Sequence, residues 1–323
     1  MIISQTPYRV SFAGGGTDLP AFYRQEAGAV LSVAITKHMY VALSKRFEPS
    51  VRVAYSKTEI ADTRDEVQHT IVKAALKMVD LGPHMEIVTI GDVPAGTGMG
   101  SSSTLTVGLL NALYAMKGNV TSPKKLAEEA SRIEIDILGS PIGKQDQYAA
   151  AFGGLNYIRF NSDDSVDVQP VPTAGETLKE LEKRALILYT EKKRDANDIL
   201  KKQSEGTGEK MRLLREMRDL ASEMRGVISG RGNLDEFSRL LHVGWELKRS
   251  MGFGISDPVI DDMYAAARKA GAQGGKLLGA GGGGFVFLLA PPEKHDAIRE
   301  AVGKPRELKF EVDRLGSRII FIS

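Results

Sequence analysis

Runs of apolar residues with two different periods divide the first half of the chain into strands and helices. Residues 30–36 and 40–44 are rich in β-branched and apolar side chains, and residues 51–55 alternate apolar with other positions, which predicts strands. Between residues 64 and 81 the apolar positions fall on one face of a helix. Residues 103–116 are apolar nearly all round, which predicts a helix buried inside its domain.

A polar stretch with two prolines, residues 161–183, follows these elements. We place a domain boundary there and predict an N-terminal domain over residues 1–172 and a C-terminal domain over residues 173–323. The elements predicted beyond the stretch are a strand at 185–189, helices near 195–203, 209–226, 234–251 and from Ser256, and strands at 285–289, 307–312 and 318–322. The last of these helices is predicted to have Ser256 as its N-cap and Pro258 in its first turn. Helices and strands mix without strict alternation, which is typical of an α+β fold.

Composition and charge exclude several classes of protein. Lys plus Arg number 43 and Asp plus Glu 41, a formal balance of +2 that argues against a nucleic-acid coat or a polybasic membrane binder. There are no cysteines, so disulfide scaffolds, iron–sulfur clusters and cysteine nucleophiles are excluded. Neither a secretory signal nor an apolar run long enough to span a membrane is visible, so we expect a cytoplasmic protein.

Glycines are concentrated in three places in the chain. They make up 34 of the 323 residues, and the clusters fall at residues 14–16, 91–100 and 271–284, between apolar runs. Glycine clusters at the ends of strands indicate a close approach of the backbone to a ligand, often a phosphate.

The second cluster carries the most informative motif, PAGTGMGSSS, at residues 94–103. Alternate glycines leave backbone N–H groups unobstructed, and the serines then open the buried helix, whose positive N-terminal end attracts phosphate. The motif has no lysine and is therefore not a Walker A loop. The alternative is a flexible turn with a serine N-cap, although three hydroxyls exceed what a cap needs and one of them is able to bind Mg²⁺.

The third cluster contains a formal G-x-G-x-x-G match at Gly279, Gly281 and Gly284. Dinucleotide binding requires a helix directly after this motif, whereas residues 285–289 are predicted to form a strand, so that function is rejected. A tight strand-to-strand turn fits better. The turn either closes over the same ligand as the phosphate loop or forms a hairpin without a ligand.

Two further segments place charged residues beside glycines. In GKQDQ, residues 143–147, Asp146 lies where a loop enters a helix, and an Asp in this position, taken alone, is usually an N-cap. In TPYRVSFAGGGTDLP, Arg9 lies on the predicted first strand and Asp18 follows three glycines. An arginine in an apolar strand indicates a buried anionic partner, and the alternative is an arginine on an edge strand. The five histidines have no spacing typical of metal ligands, and Trp245 is expected in the core.

Together the motifs resemble those of the GHMP kinase superfamily, in the same order along the chain. The family motifs P-x-R-V, P-x-x-x-G-x-G-S-S and G-x-G-G-G-G-F correspond to residues 7–10, 94–102 and 279–285. The forms FAGGGTD and KLLGAGGGGF are most similar to heptose 7-phosphate kinases, and fucokinase domains are similar in the same places. The resemblance implies a two-domain α+β fold, with an N-terminal domain like ribosomal protein S5 and a ferredoxin-like C-terminal domain.

The resemblance also implies roles for individual residues. Asp146 matches the family's catalytic aspartate, Arg9 the arginine that steadies it, and Glu134 together with Ser102 the ligands of Mg²⁺. The residues expected to bind ATP are Pro94, Gly96, Gly98, Gly100, Ser101, Ser102 and Ser103. The residues expected to bind the sugar phosphate are Gly15, Gly16, Asp18, Arg194 and Gly282. Gly15 and Gly16 replace a Glu-His pair of galactokinases, which speaks against galactose as the acceptor.

The expected function is therefore transfer of phosphate from ATP to a sugar phosphate, at the anomeric hydroxyl of D-glycero-D-manno-heptose 7-phosphate. One alternative is a fucokinase-like or other small-sugar kinase. Another is a catalytically silent homologue that binds ATP and sugar. A silent homologue is expected to have lost the acidic residues or the serines, and this chain has them all.

Overall fold

The structure, a computed structural model, describes residues 1–192, 196–230, 232–252 and 254–323. Its strands are β1 (Ile2–Ala13), β2 (Gly28–Lys45), β3 (Val51–Ala54), β4 (Thr58–Ala61), β5 (Met85–Gly91), β6 (Leu155–Phe160), β7 (Val166–Pro170), β8 (Ala185–Tyr189), β9 (Gly274–Leu277), β10 (Phe285–Leu289), β11 (Glu307–Leu308) and β12 (Arg318–Ile322).

Helices connect and cover these strands. They are α1 (Pro20–Tyr23), α2 (Thr70–Val79), α3 (Ser101–Met116), α4 (Pro123–Ser131), α5 (Gln145–Phe152), α6 (Gly175–Arg184), α7 (Ala196–Glu205), α8 (Thr207–Ser229), α9 (Leu234–Ser250), α10 (Pro258–Lys269) and α11 (His295–Ala301). A π-helical turn at Arg132–Ile137 extends α4, and a 3₁₀ turn at Pro292–Lys294 precedes α11.

The larger sheet is built around β1 and β2. Its order is β12-β1-β2-β5-β3-β4, and β6 pairs with β2 and with β7. The first part of β2, residues 28–33, pairs with β6, whereas residues 39–45 pair with β5. Because β2 is one continuous strand of 18 residues, it joins two groups of strands into one sheet.

Both faces of this sheet are buried, because successive side chains of a strand point to opposite faces. On β2, Val30, Val41 and Leu43 belong to the core formed with helices α2–α5. Leu31 and Val33 belong to a second core, which includes side chains of α8, α9 and the smaller sheet. Burial on both faces explains why β1 and β2 are apolar along most of their length.

The smaller sheet is antiparallel and has the order β11-β8-β10-β9. The glycine-rich turn between β9 and β10 is a hairpin loop of this sheet, and it contacts the loop between β5 and α3. A Cβ atom on Gly279 would overlap Gly98 Cα, and a Cβ atom on Gly284 would overlap Thr97 O. Glycine at these positions therefore allows backbone from the two halves of the chain to touch.

The predicted α+β mixture is confirmed, and so is the strand after the G-x-G-x-x-G match that excluded dinucleotide binding. Three details were wrong. The strand predicted at 307–312 is limited to Glu307–Leu308. The runs at 30–36 and 40–44 form one strand, because the chain stays extended through Lys37, and His38 and Met39 pair with β1. The N-cap of α10 is Asp257, whose side chain accepts a hydrogen bond from Ile260 N, and not Ser256.

The boundary between residues 172 and 173 stays a prediction. The last strand, β12, pairs with β1 and therefore belongs to the larger sheet. Among the described helices, none combines the length and the apolar character needed to cross a membrane.

Candidate active site

A cavity of about 610 Å³ lies between the two halves of the chain. Side chains of β1, β5, α3 and α5 line it from the larger sheet's side, and α7, α9 and the β9–β10 turn close it from the other. Of the predicted site residues, it brings together Arg9, Gly15, Gly16, Asp18, Gly96, Gly98, Gly100, Ser101, Ser102, Ser103 and Asp146.

Arg9 and Asp146 form the best-defined ion pair of the cavity. Arg9 Nε donates to Asp146 Oδ1 at 2.7 Å, and Nη2 donates to Oδ2 at 2.8 Å. The third nitrogen, Nη1, donates to Gly98 O at 2.8 Å. Arg9 is buried, so the alternative of an arginine on an exposed sheet edge is wrong. The two parallel hydrogen bonds of the guanidinium fix the orientation of the carboxylate, and the bond to Gly98 O holds the pair against the phosphate loop.

Asp146 lies in the first turn of α5 and does not cap that helix, since the residue at the N-cap position is Lys144. A Cβ atom on Gly100 would lie 2.9 Å from Asp146 Oδ2. The carboxylate is therefore packed against the end of the phosphate loop. Its side chain keeps 21% of its surface exposed, which leaves it accessible from the cavity.

The phosphate loop has the backbone that its glycines predict. Gly98 and Gly100 have φ of 79° and 80°, in the left-handed region where a side chain is strained. Gly100 is the N-cap of α3, and no side chain caps the helix. The serines lie within the first turn, so the alternative of a serine N-cap is wrong. Ser101 Oγ is buried without a hydrogen-bond partner among the described residues.

Glu134 is a buried carboxylate in the π-helical turn after α4, with 2% of its surface exposed. Gln147 Nε2 donates to Glu134 Oε2 at 2.7 Å. Burial raises the pKa of Glu134 to about 7, against the opposing effect of hydrogen bonds from the Ser102 and Ser103 hydroxyls. Glu134 and Ser102 line a smaller cavity, which meets the larger one at Ser102. The structure thus places the two predicted metal ligands side by side.

Asp18 also lines the larger cavity, with 3% of its surface exposed. Its carboxylate accepts hydrogen bonds from Gly16 N at 2.9 Å and from Gln145 N at 3.3 Å. Burial raises its pKa, and the nearby charge of Asp146 acts in the same direction. A buried carboxylate beside Asp146, with hydrogen bonds from two loops, is positioned to accept from hydroxyl groups.

Gln203 of α7 was not predicted as a site residue. Its side chain is buried, lines the cavity, and its Nε2 has no partner within the described residues. It occupies the space that a Cβ atom on Gly16 would need. The only sequence signal for this relationship was the absence of a side chain at Gly16.

Lys248 of α9 was also missed. Its ammonium donates to Gly279 O at 2.5 Å, and only 5% of the residue is exposed. Burial, reinforced by the charge of Arg9, lowers the pKa of Lys248 to about 8, while the carboxylates of Asp18 and Asp146 act in the opposite direction. On an amphipathic helix with other basic residues, the sequence offered no signal that this lysine points inward.

The far end of the cavity, beyond the phosphate loop, is apolar and aromatic. It is lined by Met39, Tyr55, His69 and Ile71, and the rings of Tyr55 and His69 meet edge to face with centroids 4.7 Å apart. An apolar slot with aromatic side chains in its lining suits a heteroaromatic base. No sequence motif pointed to it, because its residues come from three separate elements.

Two of the predicted site residues that the structure describes line neither cavity. Pro94 lies beside the loop, and its carbonyl accepts from Thr97 Oγ1. Gly282 is turned toward Ile255, whose carbonyl accepts its N–H, and the glycine turn reaches the cavity through Gly279 and Ala280 instead. Arg194 lies outside the described residues.

Comparison with known proteins agrees with this geometry. Residues 69–154 match the N-terminal domain of GHMP kinases, and residues 217–307 match their C-terminal domain. The chain therefore belongs to the GHMP kinases and has their two-domain fold, as the three motifs predicted. Within that family it is a sugar kinase close to heptose phosphate kinases, and ATP is the family's phosphate donor.

Three individual proteins show how similar the chain is to known members of the family. The chain is 30% identical to D-glycero-alpha-D-manno-heptose 7-phosphate kinase of Campylobacter jejuni, over 96% of both proteins. It is 27% identical to L-fucokinase/L-fucose-1-P guanylyltransferase of Bacteroides fragilis, over 90% of this chain but 34% of that protein. The structure of a D-glycero-D-manno-heptose 1-phosphate kinase from Bacteroides thetaiotaomicron superposes with a TM-score of 0.83, at 25% identity and with complete coverage of both chains.

Proposed function

We propose that this kinase transfers the γ-phosphoryl group of ATP to the anomeric hydroxyl of D-glycero-D-manno-heptose 7-phosphate, giving the 1,7-bisphosphate. The observation that carries the proposal is the paired Arg9 and Asp146, held in one cavity between the phosphate loop and the buried Asp18. Such an arrangement supports attack by a hydroxyl group on a phosphoryl group held by the loop.

Asp146 is the proton acceptor in this proposal. The attacking hydroxyl loses its proton to the carboxylate as the new O–P bond forms, and the bond to the β-phosphate oxygen breaks. Arg9 keeps the carboxylate oriented through both oxygens and offers positive charge beside the transferred group.

The phosphate loop and the start of α3 hold the phosphates of ATP. Backbone N–H groups and the positive end of the helix serve this purpose, and the unpartnered Ser101 hydroxyl is available to a phosphate oxygen. The slot around Tyr55 and His69 takes the adenine.

The residues at the two cavities' junction fit Mg²⁺. Glu134 and Ser102 supply hard oxygen ligands, and a carboxylate whose pKa is raised by burial gains most from a nearby cation. Within the described residues, no cluster of three or more acidic or histidine side chains could hold a metal alone. We therefore propose that these two residues hold Mg²⁺ together with nucleotide phosphates, whose negative charge the ion neutralises when bound.

Asp18, Gly15 and Gly16 form the proposed sugar-binding wall. Asp18 accepts hydrogen bonds from sugar hydroxyls, and the missing side chains of the glycines make room for the ring. In the sequence, Arg194 follows Lys192 and Lys193, and the ammonium of Lys192 pairs with Asp257 at 2.5 Å. Arg194 stays a proposal from the sequence.

The choice of a phosphorylated heptose rests on the relatives. Two of the similar proteins are named for heptose phosphates, but the phosphate in those names is at position 7 in one and at position 1 in the other. The fucokinase relative favours the second candidate, a free sugar as acceptor. Transfer to any of these acceptors would take place in the cytoplasm, where ATP is supplied.

A coupled assay of ADP release distinguishes the candidates. The acceptors are heptose 7-phosphate, heptose 1-phosphate, free heptose, L-fucose and galactose, each with saturating ATP. We expect heptose 7-phosphate to be preferred over free heptose by about 10² or more in kcat/KM, because charge-assisted contacts contribute roughly 1.5–3 kcal/mol each. Phosphorus–proton coupling in the NMR spectrum of the product identifies the phosphorylated oxygen.

Each other outcome replaces the proposal by a named alternative. If L-fucose is turned over faster than heptose 7-phosphate, the protein is a fucokinase-like enzyme. ATP binding without release of ADP for any acceptor would indicate the catalytically silent homologue.

A further inference from the structure

The buried ammonium of Lys248 has no role in the mechanism described so far. Its one hydrogen-bond partner in the described part of the chain is a neutral carbonyl, Gly279 O, and no carboxylate there forms an ion pair with it. An ammonium carries three N–H donors, so one bond leaves two of them without a protein partner. A buried ammonium in this state destabilises the protein unless a ligand accepts hydrogen bonds from the two remaining donors.

The position of Lys248 in the cavity indicates which ligand group its ammonium would contact. Gly279, to which it is bonded, touches Gly98 of the phosphate loop, and Gly98 O accepts from Arg9. The two cations are thus anchored to two backbone segments in direct contact. Both lie at the end of the loop where Asp146 is held, and both line the cavity.

We infer that Lys248 contacts the phosphoryl group during its transfer and so acts as a catalytic residue supplied by the C-terminal half of the chain. The inference rests on the proposed kinase reaction but not on the identity of the sugar. In that reaction the phosphoryl group moves from the β-phosphate oxygen to the acceptor oxygen, and the proton goes to Asp146. Lys248 stays an ammonium throughout and neutralises charge on the equatorial oxygens.

Lys276 supplies a contrast within the same region. It is equally buried, but its ammonium nitrogen donates to Phe12 O at 3.2 Å and it does not line the cavity. Burial lowers its pKa well below the usual value, with Lys248 and Arg9 acting in the same direction. Lys276 therefore belongs to the support of the site, whereas Lys248 faces the ligand space.

The test compares K248M with R249Q, a matched control on the next residue. Arg249 pairs at the surface with Glu246 and Asp261, so its loss leaves the cavity unchanged. Calorimetry measures the affinity for ADP with and without beryllium fluoride, which imitates the transferred phosphoryl group and needs no acceptor. We expect K248M to bind ADP within about threefold of the wild type but to lose 30-fold or more of the fluoride-dependent gain, and to lower kcat by about 10².

A second measurement covers the case in which K248M does not fold. In the wild type, kcat/KM should fall above about pH 8, as the ammonium of the free enzyme loses its proton among Arg9, Asp18, Asp146 and Lys276, the charged groups that face it. In K248R, which keeps its charge, this fall should move to higher pH, an effect that a structural role would not produce.

Two results would overturn the inference. One is an unchanged beryllium fluoride gain in K248M, and the other is a rise confined to the acceptor's KM. Failure of every sugar as acceptor would reject the proposed heptose kinase activity but would leave the calorimetric result for Lys248 decisive.

Discussion

Arg9 donates to both carboxylate oxygens of Asp146, one from Nε and one from Nη2, at 2.7 and 2.8 Å. The pair joins the first strand of the chain to a helix that begins more than 130 residues later. Each oxygen still has a lone pair for a proton, because a carboxylate offers about four acceptor positions. The guanidinium therefore fixes the orientation of the Asp146 carboxylate and leaves acceptor positions free for a proton.

Replacement of Asp146 by Asn should remove the proton acceptor and keep the shape of the site. We expect kcat to fall by about 10² or more with little change in ATP affinity. Steady-state kinetics and nucleotide titration measure the two effects. D136N, at an exposed aspartate of the π-helical turn, is the control. Activity of D146N within about threefold of wild type would remove Asp146 from this role.

Replacement of Arg9 by Lys should keep the charge but lose the two-pronged contact and the bond to Gly98 O. We expect kcat to fall by roughly 10- to 100-fold. The kcat of the double variant R9K/D146N should lie within about threefold of the kcat of D146N alone, because the two residues act as a unit. Independent, multiplying losses would contradict the pairing as the reason for Arg9.

Replacement of Ser102 by Ala or Glu134 by Gln should weaken the proposed Mg²⁺ site, because each deletes an oxygen ligand of a hard cation. The Mg²⁺ concentration for half-maximal rate should rise about tenfold or more. E128Q, which changes a surface glutamate of the preceding helix, should titrate as the wild type does. Unchanged Mg²⁺ titrations in both site variants would mean that the metal is held elsewhere.

Replacement of Gly16 by Ala should force Gln203 out of its position, since the new Cβ atom would overlap Nε2, and should strain a backbone with φ of 102°. We expect a loss of about 1–3 kcal/mol in the free energy of unfolding. Gly15 is the matched control, because a Cβ atom there meets nothing closer than Gln145 Nε2 at 3.8 Å. Equal melting temperatures for G16A and G15A would contradict the packing argument.

Replacement of Lys248 by Met should stabilise the protein at neutral pH. The folded-state pKa of about 8 lies below the usual 10.5, so the unfolded chain binds more protons between these values and wild-type stability rises with pH across this window. Removal of the ammonium relieves at most about 3 kcal/mol, reduced by about 1 kcal/mol for the bond to Gly279 O. In urea unfolding, the free energy of unfolding of K248M should exceed that of the wild type by roughly 2 kcal/mol at pH 7.5. Above about pH 10.5 it should equal the wild-type value or fall below it. An advantage that persists unchanged at high pH would argue against burial of the charge as its cause.

Much of the donor side of the site was predictable, because its chemistry lies in contiguous motifs. The glycines and serines of residues 94–103 determine a backbone and a helix start within ten residues. The motif did not say that Gly100 rather than a serine would be the N-cap, since both residue types are favoured there.

The acceptor side was less predictable, because it depends on side chains brought together by tertiary packing. Lys248 and Gln203 lie on amphipathic helices whose pattern is satisfied whether these residues face inward or outward. Gly282 was assigned to the site because it shares a motif with Gly279, but alternate residues of a tight turn face different neighbours. Trp245, expected in the core, is indeed fully buried.

The contact between Gly98 and Gly279 has a mechanical consequence. Neither residue has a side chain that can swing aside, and the two backbones already touch, so the halves of the molecule cannot close further at this point. A motion that admits substrates must turn about the contact as about a fulcrum. Displacements would then be smallest at the phosphate loop and would grow with distance from it, so the reacting centre would stay assembled during such a motion.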